Sequence, residues 1–211
     1  MTTDQLITAI VADSGMQMPF DHLFRRARAA GIAVAGLIFF SVIGPRPDFA
    51  LALDTWRFLL KFLITVPLAV IASSMVLLMG KPNKWSENRT ALLLVPVNLL
   101  LVTALLELFL LPRSLWMERL VGSNSANCMT LIPLLATMPL AAFLIALRHG
   151  ASVDPGKAGA AAGLAAAAIA ASFYALNCFD DSPLFVITWY PFATFVVVGF
   201  GYLLGRRILR W

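Results

Sequence analysis

The two cysteines of this chain, Cys128 and Cys178, are the residues whose type and placement point most directly to chemistry. Two thiols held close together can form a disulfide, bind a soft metal ion or react with an oxidant. The absence of a Cys-x-x-Cys motif argues against a catalytic disulfide oxidoreductase, and no nearby histidine completes a permanent metal site. We therefore predict no metal site and no cofactor. Two interpretations of the pair stay open: a structural disulfide between two helices and a reactive pair.

The composition sets the class of protein in which these thiols are placed. Hydrophobic residues make up 60% of the 211 residues and charged residues 13%, and the mean hydropathy is +0.85. The apolar residues come in blocks of about 20, the length at which a helix crosses the hydrocarbon of a bilayer. We therefore predict an all-α polytopic membrane protein with six transmembrane helices, at 29–44, 58–79, 91–111, 128–147, 158–177 and 184–205.

A count of five spans is the alternative, because the first block is short and Lys61 interrupts the second. Long basic side chains near the end of a span can extend to the headgroups. We expect Arg28 and Lys61 to do so, which retains six spans.

The basic residues of the short loops predict the orientation, because they are enriched on the cytoplasmic side. The segments placed inside hold most of the sixteen lysines and arginines, namely Arg25, Arg26, Arg28, Lys81, Lys84, Arg89, Arg148, Lys157, Arg206, Arg207 and Arg210. Both termini are then cytoplasmic, and Cys128 and Cys178 lie at the same outer end of the bundle. The net charge of +5 reflects this topology, and direct binding of nucleic acid is not expected.

The first fourteen residues predict a short amphipathic helix. Its apolar side chains recur at helical spacing, and its polar residues face elsewhere. Thr2 and Gln5 have the spacing of a capping box, and Gly15 ends the pattern. A short tethered helix is only marginally stable alone, and its apolar face is typical of a helix that binds in a groove of a partner protein. Binding to a membrane surface is the alternative, but the polar face is acidic rather than basic. The predicted divisions are a partner-binding segment at 1–27, the bundle at 28–205 and a basic tail at 206–211.

An acidic residue and a set of glycines within the spans carry further expectations. Glu107 is the one acid well inside a span, and a transmembrane carboxylate is a functional candidate by default. Its position near the outer end also allows it to reach Arg113 or water. Gly159 and Gly163, four residues apart, form a small-residue pattern that favours close helix packing, with Gly199, Gly201 and Gly205 as the facing surface.

Several segments together resemble the NrsF family. They are the opening from Thr3 to Asp13, the turn from Gly44 to Asp48, the isolated Cys128, the run from Cys178 to Val186 with Trp189 after it, and the closing run from Gly205 to Trp211. The resemblance covers the whole chain. The family pattern commonly has His before the second cysteine and Pro-Glu-Asp after it, whereas this chain has Asn177 and then Phe179, Asp180 and Asp181.

The resemblance implies a non-enzymatic anti-sigma factor with six spans in a bacterial inner membrane. Such a protein holds an extracytoplasmic-function sigma factor inactive until an envelope signal arrives. The sigma-binding residues would be Leu6, Ile7, Ile10, Val11 and Asp13, and Cys128 and Cys178 would sense oxidants or heavy metals outside. Two rival functions are a small transporter that uses Glu107 and Lys61, and a thiol oxidoreductase that uses the two cysteines.

Overall fold

The computed structural model describes residues 2–5, 19–81 and 87–209, without the side chains of 87–89. All regular structure in these ranges is helical. The α-helices are α1 (Phe20–Ile38), α2 (Phe49–Ala52), α3 (Trp56–Met79), α4 (Leu94–Leu110), α5 (Trp116–Val121), α6 (Ser125–Leu147), α7 (Pro155–Tyr174) and α8 (Pro183–Ile208). A π-helical turn, Phe39–Ile43, extends α1, and 3-10 turns precede α4 at Glu87–Leu93 and α5 at Arg113–Leu115.

Six helical segments are long and apolar enough to cross a membrane: Phe20–Ile43, Trp56–Met79, Thr90–Leu110, Arg113–Leu147, Pro155–Tyr174 and Pro183–Ile208. The prediction of an all-α protein with six spans is therefore confirmed, and the chain is a multi-pass membrane protein. Hydrocarbon offers no hydrogen-bond partner to the backbone, so each long apolar run must form a helix. The helix α1 begins at Phe20 and therefore contains residue 27, the predicted division between the amino-terminal segment and the bundle.

Successive spans run in opposite directions and give the bundle two ends. We name them the cysteine end, where α3 and α8 begin, and the terminal end, where α1 begins and α8 ends. The connection between α7 and α8, residues 175–182, lies at the cysteine end and is called the Cys178 loop. Helices α7 and α8 each start with a side-chain cap followed by proline at the first helical position: Asp154 accepts from Lys157 N at the start of α7, and Ser182 accepts from Leu184 N at the start of α8.

The central helix is α7, which packs against α3, α6 and α8. Its buried residues are mostly alanine and glycine, so neighbouring backbones approach closely. A Cβ on Gly163 would lie 2.7 Å from the Val197 carbonyl oxygen, and one on Gly159 would overlap the Gly201 carbonyl. A Cβ on Gly205 would likewise lie too close to backbone, 2.5 Å from the Pro155 carbonyl oxygen, but a Cβ on Gly199 would meet nothing within 4 Å. The predicted packing of α7 on α8 is thus present, and Gly199 was wrongly included in it because it faces away.

Candidate functional site

Both cysteines are buried at the cysteine end of the bundle. Cys128 lies in the first turn of α6 and Cys178 in the Cys178 loop, and both are free thiols with 0% exposure. The Cys178 Sγ is 3.7 Å from the carbonyl oxygen of Asp180. Burial raises the pKa of the Cys178 thiol, so the thiol is protonated at neutral pH. In this arrangement the thiol is shielded from reagents, and reaction at Cys178 requires the loop to open.

Asp180 connects the two cysteine-bearing segments. Its Oδ2 accepts hydrogen bonds from Asn124 N at 2.8 Å and Asn124 Nδ2 at 3.0 Å. It also accepts from Ser123 N at 2.9 Å and Ser123 Oγ at 3.3 Å. Since Cys128 N bonds to the Asn124 carbonyl at 2.8 Å, a carboxylate from the Cys178 loop holds the residues from which the helix that carries Cys128 starts.

The backbone next to this contact has no room for a side chain. Gly122 has φ +59, a conformation that favours glycine. A Cβ there would lie 2.8 Å from the Asp180 carboxylate and 2.5 Å from the Phe185 ring. On the other side, the Tyr174 hydroxyl donates to the Asn124 carbonyl oxygen at 3.2 Å. The start of α6 is therefore held from both sides by residues that flank Cys178 in sequence.

Lys61 and Arg46 hold the same loop from the side of α3. Lys61 Nζ donates to the Cys178 carbonyl oxygen at 2.8 Å and pairs with Asp181 Oδ1 at 2.5 Å. Arg46 pairs with Asp181 at 2.8 Å and with Asp48 at 2.7 Å, and also donates to the Cys178 carbonyl at 3.3 Å. Lys61 is 1% exposed. The expectation that it extends to the headgroups was therefore wrong, because an acidic partner inside the bundle offers the cation a better site than the interface.

Glu107 belongs to this end of the bundle as well. Its Oε1 is 3.1 Å from Arg57 Nη2, and its Oε2 accepts from Ser182 Oγ at 2.5 Å and from Leu184 N at 3.1 Å. Its partners are thus on α3 and at the start of α8, and they do not include Arg113, one of the two partners that its position near the outer end allowed. Glu107 and Lys61 have separate partners, and neither lines the large cavity between α3, α4, α7 and α8. The arrangement suits a structural cap better than a transport path.

The terminal end carries a second set of contacts. The end of α3 meets the start of α1: a Cβ on Gly80 would overlap the Phe20 ring, and Lys81 pairs with Asp21. The Gly80 carbonyl also accepts from Ala151 N at 2.9 Å. Thus α3 contacts the Cys178 loop through one end and the residues that follow the amino-terminal segment through the other.

The predicted capping box is present at the amino terminus. Thr2 N donates to Gln5 Oε1 at 3.0 Å, and Gln5 N donates to Thr2 Oγ1 at 3.4 Å. The sigma-binding candidates Leu6, Ile7, Ile10, Val11 and Asp13 lie outside the described residues. Across the ranges that the structure describes, no cluster of three or more His, Cys, Asp or Glu side chains could hold a metal ion.

Sequence reasoning missed Asp180, Asp181, Arg46 and Ser182 as parts of the site. The available signals were the two adjacent aspartates after Cys178 and the two basic residues, Arg46 and Lys61, at the same predicted end. Because these residues were treated only as separate charges, the sequence analysis did not predict that they pair with one another. A buried cation in a membrane bundle requires an acidic partner, and this rule pointed to the aspartates.

Comparison with known proteins supplies the family. The model of the family described as "Negative regulator of sigma F", NrsF, matches residues 14–211. A protein of Azospira oryzae named probable anti-sigma-F factor NrsF is 32% identical over 216 aligned positions, covering 100% of both chains. The anti-sigma-F factor NrsF of Caulobacter vibrioides is 28% identical and also covers 100% of both chains. No solved structure matches the chain. The chain therefore belongs to the NrsF family, as its sequence segments indicated.

Proposed function

We propose that this protein is an anti-sigma factor of a bacterial inner membrane that sequesters an extracytoplasmic-function sigma factor and releases it under oxidant or heavy-metal stress. The observation that carries the proposal is the full-length match to proteins named anti-sigma-F factors. The amino-terminal segment, with Leu6, Ile7, Ile10, Val11 and Asp13, is the docking element. Both termini are cytoplasmic and the cysteine end faces outward, in accord with the loop charges.

In the resting state both thiols are reduced and the Cys178 loop is closed. The support for this state is the burial of Cys128 and Cys178 and the hydrogen bonds that hold the loop to its neighbours. The loop contributes two aspartates and a backbone carbonyl to these contacts, so it does not need a disulfide to stay in place. Sequestration of the sigma factor is assigned to this state.

The signal acts by trapping an open loop. An oxidant of the peroxide class takes two electrons from the two thiols and leaves a disulfide, with the two protons ending in water. A soft metal ion instead binds both thiolates and displaces their protons. Either product holds Cys128 and Cys178 in a geometry other than that of two separately buried thiols. The loop contacts to Lys61 and Asn124 are then lost or rearranged.

The α3 helix connects this event to the opposite end. Lys61 and Gly80 are 19 residues apart, which corresponds to about 28 Å of helix and thus the thickness of the hydrocarbon layer. When the Cys178 carbonyl and Asp181 release Lys61, the position of α3 changes. Its far end contacts Phe20 and Asp21, just after the docking segment. The bundle thus has two packings that differ in affinity for the sigma factor.

The rival functions receive less support. A thiol oxidoreductase must present a reactive thiol to a partner protein, but both thiols are buried. A transporter needs a polar path, and the buried charges at the cysteine end are paired with one another.

The test of docking is a pull-down of the sigma factor with the full chain, combined with a reporter of its target promoter. Leu6→Asp with Ile10→Asp places charge on the apolar face and costs about 2 kcal/mol or more if both side chains are buried hot spots. We expect co-purification to fall about 30-fold or more and the reporter to turn on without stimulus. Thr8→Asp, on the polar face, is the matched control and should bind normally. Undiminished co-purification of the double variant would show that another element holds the sigma factor.

A further inference from the structure

The turn between α1 and α2, residues 44–48, is bonded directly to the Cys178 loop. Arg46 N donates to the Leu176 carbonyl oxygen at 3.0 Å, and Asn177 Nδ2 donates to the Gly44 carbonyl oxygen at 3.1 Å. Both bonds involve the backbone of the turn, so they fix the path of the chain and not only a side chain. The π-helical extension of α1 ends directly before this turn. The loop therefore holds the end of α1.

The side chain of Arg46 adds charged contacts to the same surface. It is 8% exposed, pairs with Asp181 and lies with its guanidinium carbon 4.9 Å from the centre of the Phe179 ring. Breaking a buried ion pair is strongly unfavourable, because it leaves a charge without its partner. With the bond from Arg46 to the Cys178 carbonyl, the turn contacts five of the eight residues of the Cys178 loop, namely Leu176, Asn177, Cys178, Phe179 and Asp181. A loop that opens must give up these contacts.

Helix α1 is otherwise held through one narrow face. The buried residues of α1 and its extension are five, whereas α7 buries fourteen. Two of the five are glycines in close backbone contact: a Cβ on Gly31 would lie 2.9 Å from Pro139 Cα on α6, and one on Gly36 would lie 3.1 Å from the Phe173 ring on α7. An element with few buried contacts changes position at low cost. The contacts of the turn with the Cys178 loop are thus a large share of what fixes α1.

We propose that the Cys178 loop controls the position of α1: the closed loop fixes α1 through the turn at 44–48, and the open loop lets α1 shift. A helix transmits displacement of one end to the other as a rigid element, over about 36 Å for the 24 residues from Phe20 to Ile43. The docking segment precedes α1 in the chain, so α1 moves it directly, whereas α3 reaches it only through contacts at the start of α1. The inference rests on the proposed function for the consequence of this movement, but the movement itself can be measured without the sigma factor.

The test measures the position of α1 by pulsed electron paramagnetic resonance on the full chain in nanodiscs. Nitroxide labels on p-acetylphenylalanine leave both cysteines free. One pair joins Ala29 on α1 to Leu203 on α8, and a reference pair joins Ile145 on α6 to Leu203; all three positions are exposed. Oxidation of the two thiols by hydrogen peroxide should change the α1–α8 distance by about 1–2 Å and leave the α6–α8 distance unchanged. A variant with both cysteines replaced by serine should show no change with peroxide.

A second measurement uses the reciprocity of the contact, since a turn held by the loop also holds the loop. Asn177→Leu removes the hydrogen bond to the turn and leaves the contacts of Lys61 with the loop in place. One such bond contributes about 1 kcal/mol, so maleimide labelling of Cys178 in a Cys128→Ser background should be about 5-fold faster. Asn127→Leu, at the same end on α6, is the matched control, because its printed sequence neighbourhood lies away from the turn and its amide bonds to Asn124. It should label at the parental rate.

Three results would overturn the inference. They are an unchanged α1–α8 distance in protein whose thiols are oxidised, an equal change in the α6–α8 distance, which would indicate general loosening of the bundle, and a parental labelling rate in Asn177→Leu. Retention of the sigma factor by oxidised protein with a shifted α1 would instead refute the release step of the proposed function and support the inference. The distance thus decides the inference, and a sigma-factor pull-down on the same samples decides the proposed function.

Discussion

Replacing Asp180 by alanine should open the Cys178 loop without removing either thiol. The carboxylate accepts from the backbone and side chain of both Ser123 and Asn124. Its loss leaves the N–H groups of Ser123 and Asn124, just before α6, without their charged acceptor, and a hydrogen bond to a charged group contributes about 1.5–3 kcal/mol. Because Asp180 is partly exposed and water can replace part of these contacts, we expect a smaller cost of about 1–2 kcal/mol. That cost changes the equilibrium between closed and open loop by roughly 5- to 30-fold.

The labelling rate of Cys178 measures this equilibrium, because a thiol with 0% exposure reacts only through the open form. The assay treats intact cells with a membrane-impermeant maleimide in a Cys128→Ser background, so that only Cys178 is labelled. Asp180→Ala should label about 5- to 30-fold faster than the parent, and Asp180→Asn, whose amide oxygen can still accept, should fall between them. Label from outside the cell also tests the proposed orientation.

Asp54→Ala is the control for this prediction, because it removes an exposed carboxylate from the loop that precedes α3 at the same end. It should label at the parental rate. Equal rates for Asp180→Ala and its parent, in protein of normal abundance, would refute the idea that Asp180 keeps the loop closed. A similar acceleration in Asp54→Ala would attribute the effect to lost negative charge rather than to lost hydrogen bonds.

Three further predictions concern packing, charge and the thiols. Gly163→Ala should destabilise the bundle by about 1–3 kcal/mol, because its Cβ meets the Val197 backbone, whereas Gly199→Ala, in open space, should cost nothing in a detergent melting assay. Lys61→Met should lower the free energy of unfolding by about 3 kcal/mol, because it leaves Asp181 with one cation fewer. Lys157→Met, which removes an exposed ion pair, should lower it by less than about 0.5 kcal/mol. Equal melting temperatures of the two variants would show that the Lys61 pair contributes little to stability. Cys128→Ser and Cys178→Ser should each keep normal abundance and sigma binding but alter induction by oxidant equally; reduced abundance on an immunoblot would instead favour a structural disulfide.

The spans were predictable because backbone N–H and C=O groups in the hydrocarbon of a bilayer must be hydrogen-bonded within the protein. Each long apolar run must satisfy its own hydrogen bonds, so length and composition indicate a helix whatever its neighbours are. The capping box of Thr2 and Gln5 was predictable for a related reason, since both partners lie within one turn. Spacing alone also predicted that Gly159 and Gly163 face another helix.

The candidate site was harder to predict from the sequence because its contacts join segments that are far apart along the chain. Asp180 meets Asn124 across 56 positions, and Lys61 meets Cys178 across 117. Such contacts depend on how each helix is rotated about its axis, which a hydropathy pattern specifies weakly when nearly every residue is apolar. The failure at Gly199 has the same origin, since it shares the small size of Gly201 and Gly205 but lies on the other face of α8.

The hydrogen bonds of Asp180 bear on the choice between the two interpretations of the cysteines. A structural disulfide is useful where nothing else holds two segments together. Here Asp180 holds the start of α6, and Lys61 and Arg46 hold the carbonyl of Cys178 itself. The two segments are thus fixed while both thiols are reduced. A bond or metal ion between Cys128 and Cys178 would add little to the stability of this closed arrangement. Its main effect would be to favour a different one, which is the property that a sensor requires.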